Sequence, residues 1–332
     1  LKPQLHVGPA VFERLAPDWN TLVQESITNT PFQRLAYQQS WWQHLGPGNL
    51  YTVSVRDEND GLVGIGSFYL IDETLYFNGC VEETDYLDLI ATPEHAETVW
   101  EIVLDCLNSG DLPQWNTLDL CNVPDASPTR DILPRLAQSR GFHFSTEVHE
   151  VCPIIPLSET FDDYLAGLDK KQRHEVRRKM RRAAEAGLEI QTIGREDHIV
   201  TAVNNFLVLL EKSHPDKAEW LNEERVAHFH QIAAAGQADD TLQLMFAVME
   251  GRQAAALFNY DYNGRVWVYN SGFDPEAFSH LSAGVILTAK AIEKAIENGR
   301  TTFDFLRGDE TYKYRFGAED TTVHRIVLER KS

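Results

Sequence analysis

The chain has 332 residues, enough for two domains of the usual size of roughly 100–200 residues. Hydrophobic residues make up 43% and charged residues 24%, ordinary globular proportions that exclude a disordered chain. The net charge of −20 argues against an overall basic DNA binder and leaves room only for a local basic patch. That charge is uneven: residues 1–150 hold 7 basic and 22 acidic side chains, residues 151–332 hold 23 and 28. Four cysteines, at 80, 106, 121 and 152, form no C-x-x-C and no metal spacing. They suit free thiols in a reducing compartment. With no secretory signal and no apolar run of membrane length, the expectation is a cytoplasmic protein without membrane insertion.

In chain order, YTVSVRDENDGLVGIGSFYLIDETLYFNGC (51–80) alternates apolar and polar residues in three runs, which predicts an antiparallel meander turning first at Asn59-Asp60-Gly61. A helix over 95–110 and a strand over 115–123 follow. Near residue 150 a new half opens with the strand CPIIPL (152–157). Its helix 170–186 places Val176, Met180, Ala183 and Gly187 on one stripe. A second meander spans 244–273, turning at Glu250-Gly251 and Asn263-Gly264, and is again followed by a helix (282–299) and a strand (301–308). Gly61 matches Gly251, Gly79 matches Gly272, and Leu118-Asp119-Leu120 matches Phe303-Asp304-Phe305, at offsets of 190, 193 and 185. A duplicated α/β unit explains these matches in the same order.

Three stretches carry chemistry. KKQRHEVRRKMRR (170–182) has eight basic residues against one acid. Either Lys171, Arg173 and Arg177 bind an anionic substrate, the arginines through guanidinium forks, or the helix docks the acidic first half. FSHLSAGVIL (278–287) opens the helix after the second meander. Ser282, Ala283 and Gly284 there form either an anion cradle at a helix start or a plain Ser N-cap. In TTFDFLRGDETYKYRFGAED (301–320), Asp304, Arg307, Glu310, Tyr312 and Lys313 are either catalytic and binding groups or a salt-bridge network. Asp85 and Tyr86, just after the first meander, are candidate acceptor contacts or ordinary turn residues. No histidine spacing suggests a metal, and no G-x-S-x-G suggests a serine hydrolase.

DFLRGDETYKYRFG, KKQRHEVRRKMRRAAEAGLEI, ETDYLDLIA (83–91) and the helix pair PFQRLAYQQSWWQHLG (31–46) together resemble the BioF2-like, or CelD/BcsL-like, acetyltransferases of the GNAT superfamily. That family is in turn similar to the tandem-GNAT FemABX aminoacyltransferases, whose F-K-x-x-F-G motif matches Tyr312–Gly317. The resemblance implies an α/β (α+β) fold of two tandem GNAT-like domains, 1–150 and 151–332. Each would be a mainly antiparallel central sheet flanked by helices, with the acyl-donor site in the second. It further implies Lys313 at the transferred carbonyl and Lys171 and Arg173 at a substrate phosphate.

The expected activity is acyl transfer from acetyl-CoA or another acyl-CoA, without a metal. The amine or hydroxyl acceptor, a small molecule, sugar or peptide, would be held between the domains. Lys313, Asp304 and Glu310 are the expected catalytic residues, and Ser282, Ala283 and Gly284 the expected cofactor contacts. Substrate contacts are expected from Lys171, Arg173, Arg177, Asp85, Tyr86, Arg307 and Tyr312. Two alternatives stay open. One is an aminoacyl-tRNA-dependent FemABX-type transferase, the only reading with a tRNA partner. The other is a non-catalytic binding protein on a GNAT scaffold, linked to envelope polysaccharide.

Overall fold

The computed structural model describes residues 1–80 and 83–331. The chain divides into a first unit, residues 1–151 with 322 onward, and a second, residues 152–321. The closing segment therefore belongs to the first unit, whereas the sequence boundary assigned all of 151–332 to the second half.

The first unit opens with β1 (Lys2–Val7), α1 (Ala10–Glu25), a 3-10 turn (Pro31–Gln33) and α2 (Leu35–Leu45). The meander β2 (Asn49–Arg56), β3 (Leu62–Ile71) and β4 (Thr74–Phe77) follows, and β5 (Ile90–Ala91) lies on β3. Then come α3 (Ala96–Leu107), β6 (Thr117–Pro124), α4 (Thr129–Arg140) and the start of β7 (Phe142–Pro156). β4 and β6 pair in parallel from Thr74–Thr117 to Tyr76–Asp119, and residues 323–329 close the sheet antiparallel to β6. Val99, Trp100, Val103, Leu104 and Leu107 bury one face of α3, the 3.6-residue period that makes this segment a helix. Cys80 and Cys121 are joined as a disulfide with their Cα atoms 6.2 Å apart, while Cys106 and Cys152 are not disulfide-bonded. This corrects the expectation of four free thiols: residues 41 apart in sequence meet because the meander and β6 lie in one sheet.

The second unit continues with α5 (Phe161–Gly167), α6 (Lys170–Glu185), β8 (Glu189–Thr192), α7 (Ile199–Ser213), α8 (Pro215–Trp220) and α9 (Glu223–Ala238). Its meander is β9 (Leu242–Met249), β10 (Arg252–Tyr262) and β11 (Arg265–Phe273). After it come a 3-10 turn (Ser279–Leu281), α10 (Ala283–Glu297), β12 (Thr302–Asp304), α11 (Thr311–Arg315) and β13 (Glu319–Arg330), the last reaching into the first unit's residues. Glu250-Gly251 and Asn263-Gly264 have positive φ at both positions, the mirror-image turn that matches strand twist in two-residue hairpins. β11 and β12 run parallel, and Ile154–Pro156 flank β12 antiparallel.

Both units are thus mixed α/β units with a mainly antiparallel sheet. The order meander, helix, parallel strand occurs in each, which the repeat in the sequence predicts. α10 buries Leu287, Ala289, Ala291, Ile292 and Ala295 in a core with Leu257, Val266, Phe303 and Phe305. On the other side α7 packs on β11 and β10. A Cβ at Gly272 would sit 2.4 Å from the Leu210 amide nitrogen, so only glycine lets the α7 backbone come this close. No helix among the described residues is long and apolar enough to cross a membrane.

Candidate active site

β11 and β12 pair over three positions only, Arg265–Thr302 to Trp267–Asp304. Past them β11 continues to Phe273, while the chain after Asp304 turns at Leu306, which has a φ of 58°. The two strands part, and a cavity of about 370 Å³ opens beside the gap. Ala254, Ala256 and Val268 line it from the sheet, Phe305 and Tyr312 from the far wall, and Ser282, Ala283 and Gly284 from the start of α10. Small residues at 254, 256 and 283 leave room that larger side chains would fill.

Ser282 is the N-cap residue of α10, with φ 58° and ψ 52°, and its side chain makes no capping bond. The plain Ser N-cap reading is thereby excluded. Its carbonyl instead accepts from the amides of Val285 (2.9 Å) and Ile286 (3.2 Å). The earliest amides of a helix have no intrahelical acceptor, and the positive end of the dipole lies there. A Cβ at Gly284 would meet nothing within 4 Å, so this helix start faces open space. At the rim, buried Asp274 accepts from Arg252 (2.7 Å), Lys212 (3.0 Å) and the Glu276 amide (3.0 Å). Hydrogen bonds from Arg252 and Lys212 hold its carboxyl well below the usual range.

Lys313 is 2% exposed. Its Nζ donates to the carbonyls of Leu306 (3.3 Å), Arg307 (2.8 Å) and Gly308 (2.8 Å) and lies 2.8 Å from Glu310 Oε2. An ammonium has three donors, and four acceptors surround this one. It clamps the loop that carries Arg307 and leads to Tyr312. Asp304 is 1% exposed, and its Oδ1 accepts from the Leu306 amide at 2.8 Å, which fixes the left-handed turn. Glu310 is exposed on its outer side. Tyr312 lines the cavity edge-on to Phe305, and burial, then the Glu310 charge, raise its hydroxyl pKa.

The basic helix α6 packs on α10 and on the 279–281 turn. Asp169 caps its start through the amides of Lys171 (2.8 Å) and Gln172 (3.1 Å). Arg173 donates to the Ala166 carbonyl at 3.0 Å, and Arg177 meets Asp162 at 3.2 Å. Lys171 is exposed. In the first unit, Asp85 and Tyr86, the candidate acceptor contacts, are buried, at 9% and 6% exposure. Beside them Asp88 accepts from Thr28 (2.6 Å), Thr129 (2.6 Å), Ser127 and the Leu89 amide (2.8 Å). Burial pushes its carboxyl up against the pull of those bonds.

Sequence reasoning missed Lys217, Lys212, Arg252 and Asp274. Lys217 on α8 donates to the Ser271 carbonyl (2.7 Å) and to Asn270 Oδ1 (3.2 Å). Burial lowers its pKa to about 8, against an opposing effect of Glu310. Nothing in HPDKAEW (214–220) signals this, because the partners come from a strand more than fifty residues away. Among the described residues, no three His, Cys, Asp or Glu side chains converge as a metal would require.

Residues 170–314 match the family model of the acetyltransferase (GNAT) domain, a span that starts at the basic helix and ends beside Lys313. No curated protein matches the chain in sequence. Among solved structures, FemX is similar over 98% of this chain and 97% of its own, at 11% identity and a TM-score of 0.69. L-PGS from Bacillus licheniformis is similar over 95% and 91%, at 10% identity and a TM-score of 0.59. A conserved protein of unknown function from Bacteroides thetaiotaomicron is similar over 95% and 97%, at 12% identity and a TM-score of 0.62. At such identities the likeness is one of fold. The chain therefore has a fold similar to that of FemX, and its residues 170–314 are similar to the GNAT acetyltransferase domain.

Proposed function

We propose that the protein is an acyltransferase that takes its acyl group from acetyl-CoA or a related acyl-CoA and passes it to an amine or hydroxyl acceptor. The observation that carries this reading is the cavity beside the parting of β11 and β12, closed by the start of α10. Its walls are apolar and suit a pantetheine-like chain, while Ser282, Ala283 and Gly284 offer helix-start amides to a pyrophosphate. Arg252 and Lys212 at the rim, and Arg173 and Arg177 on α6, add positive charge for further phosphate. Attack on the thioester would be direct, with proximity supplying much of the rate.

Lys313 serves this reaction by holding the 306–308 loop and through it Tyr312; Asp304 fixes the same loop at its start. Contact between Lys313 and a transferred carbonyl would require it to release one of its four acceptors. The experiment is a thermal shift titration with acetyl-CoA: stabilisation that saturates supports the reading, and none at millimolar ligand contradicts it.

A second reading, transfer from an aminoacyl-tRNA, is favoured by α6, whose basic residues lie on a helix packed against the 279–281 turn. Binding of charged tRNA that weakens steeply with salt would support it. Activity with purified acyl-CoA that RNase leaves unchanged would remove it.

A further inference from the structure

Two buried or half-buried lysines of the second unit differ in their surroundings. Lys313 faces four acceptors, enough for the three N–H groups of an ammonium. Lys217 faces two, the Ser271 carbonyl and Asn270 Oδ1. A neutral amine has two N–H groups and one lone pair, so these two acceptors hold both hydrogens and leave the lone pair directed elsewhere. An ammonium in the same place would carry a third N–H without a protein acceptor, a cost in a half-buried site.

The position matters as much as the count. Asn270 and Ser271 lie on β11 beyond its last pair with β12, and Ser271 lines the cavity. Across the gap stand Tyr312, also on the cavity, and Glu310, whose charge acts on the Lys217 amine. The amine is therefore held by the strand that supplies part of the cavity wall.

We propose that Lys217 is the base of the transfer reaction, accepting the proton of the attacking acceptor group through its free lone pair. This rests on the acyl-CoA reading above. The acceptor nitrogen or oxygen forms its bond to the acyl carbon, and the C–S bond of the thioester breaks. The thiolate departs with the electron pair, and the acceptor's proton moves to Lys217 Nζ. The resulting ammonium then gives it to the thiolate or to water. A base works best when its pKa lies near the working pH, and the lowered value of about 8 meets that condition. Among charged groups Glu310 acts on the amine; Asp216 and Glu219 share its helix, and Lys212, paired with Asp274, is on α7, which packs on α8.

The test is competitive labelling of the whole protein with acetic anhydride across pH 6 to 11, read lysine by lysine by mass spectrometry, with and without CoA. Lys217 is expected to titrate near pH 8 and to be shielded about tenfold when CoA is present at ten times its dissociation constant. CoA binding is followed in parallel by thermal shift. If CoA binds but Lys217 titrates with the ordinary lysines, or is not shielded, the base assignment is overturned and the donor reading stands. If CoA does not bind, the donor reading fails and takes this one with it.

Discussion

Lys313 reaches back to Gly308, whose carbonyl oxygen lies 2.8 Å from its Nζ. Gly308 has a φ of 104°, and a Cβ there would lie 2.6 Å from Glu310 Oε2. Glycine thus lets the loop curl tightly enough for one lysine to hold three consecutive carbonyls and a carboxylate. The strongest motif in the sequence is, in the fold, a clamp that sets the far wall of the cavity.

Replacing Lys313 by Met leaves those carbonyls without a donor in a buried place. The expected cost is about 3 kcal/mol, read by urea unfolding, together with weaker CoA binding as Tyr312 loses its support. Lost turnover with unchanged stability would instead put the lysine in direct contact with the reacting group.

Glu310 raises the Lys217 pKa by its charge. Glu310→Gln should therefore shift the Lys217 titration midpoint to below about 8, measured by the same labelling. Stability should change by less than about 1 kcal/mol, because the carboxylate is largely exposed. An upward shift or none would show that Glu310 does not face the amine.

Two glycines beside the cavity should respond oppositely to alanine. Gly272→Ala forces a methyl against the α7 backbone at Leu209 and Leu210, for an expected loss of about 1–3 kcal/mol. Gly284→Ala enters open space within the first turn of a helix and should be neutral or stabilise by up to about 1 kcal/mol. Thermal melts of the two variants check the contrast.

Asp274 gives the second unit a dependence on acid. Its carboxyl pKa is depressed in the fold by Arg252 and Lys212, so the unfolded chain binds its proton more readily. The stabilisation is present above the unfolded value near 3.8 and is lost as pH falls through the folded one. Melting temperature followed downward from pH 5 should drop, and Asp274→Asn should flatten that drop while lowering stability at pH 7.

The repeat and the turns were legible in the sequence because they are local. Asn263-Gly264 needs two positive φ angles, and the alternation of 244–273 needs a half-buried strand. Ser282, Ala283 and Gly284 could be singled out because a small-residue stretch opening a helix is a local pattern as well. What was not legible depends on contacts between distant segments. Lys217 meets Ser271 across 54 positions, and Asp274 meets Lys212 across 62, with no spacing rule to announce either. The burial of Asp85 and Tyr86 was hidden for the same reason, since acidic and aromatic residues after a meander look equally suited to a surface. Lys313 was found by its motif, but its partners are the carbonyls of its own loop, and only the backbone path reveals that.

The proposed activity depends on the start of α10 holding an anionic acyl donor. Calorimetric titration of CoA into the protein and into its Gly284→Asp variant tests it most directly. The added carboxylate is compatible with a helix start and should leave the fold intact, yet it places negative charge where the pyrophosphate would sit. Saturable binding by the unaltered protein and at least a tenfold loss in the variant, at unchanged melting temperature, are the expected results. Equal binding by both, or binding by neither, would contradict it.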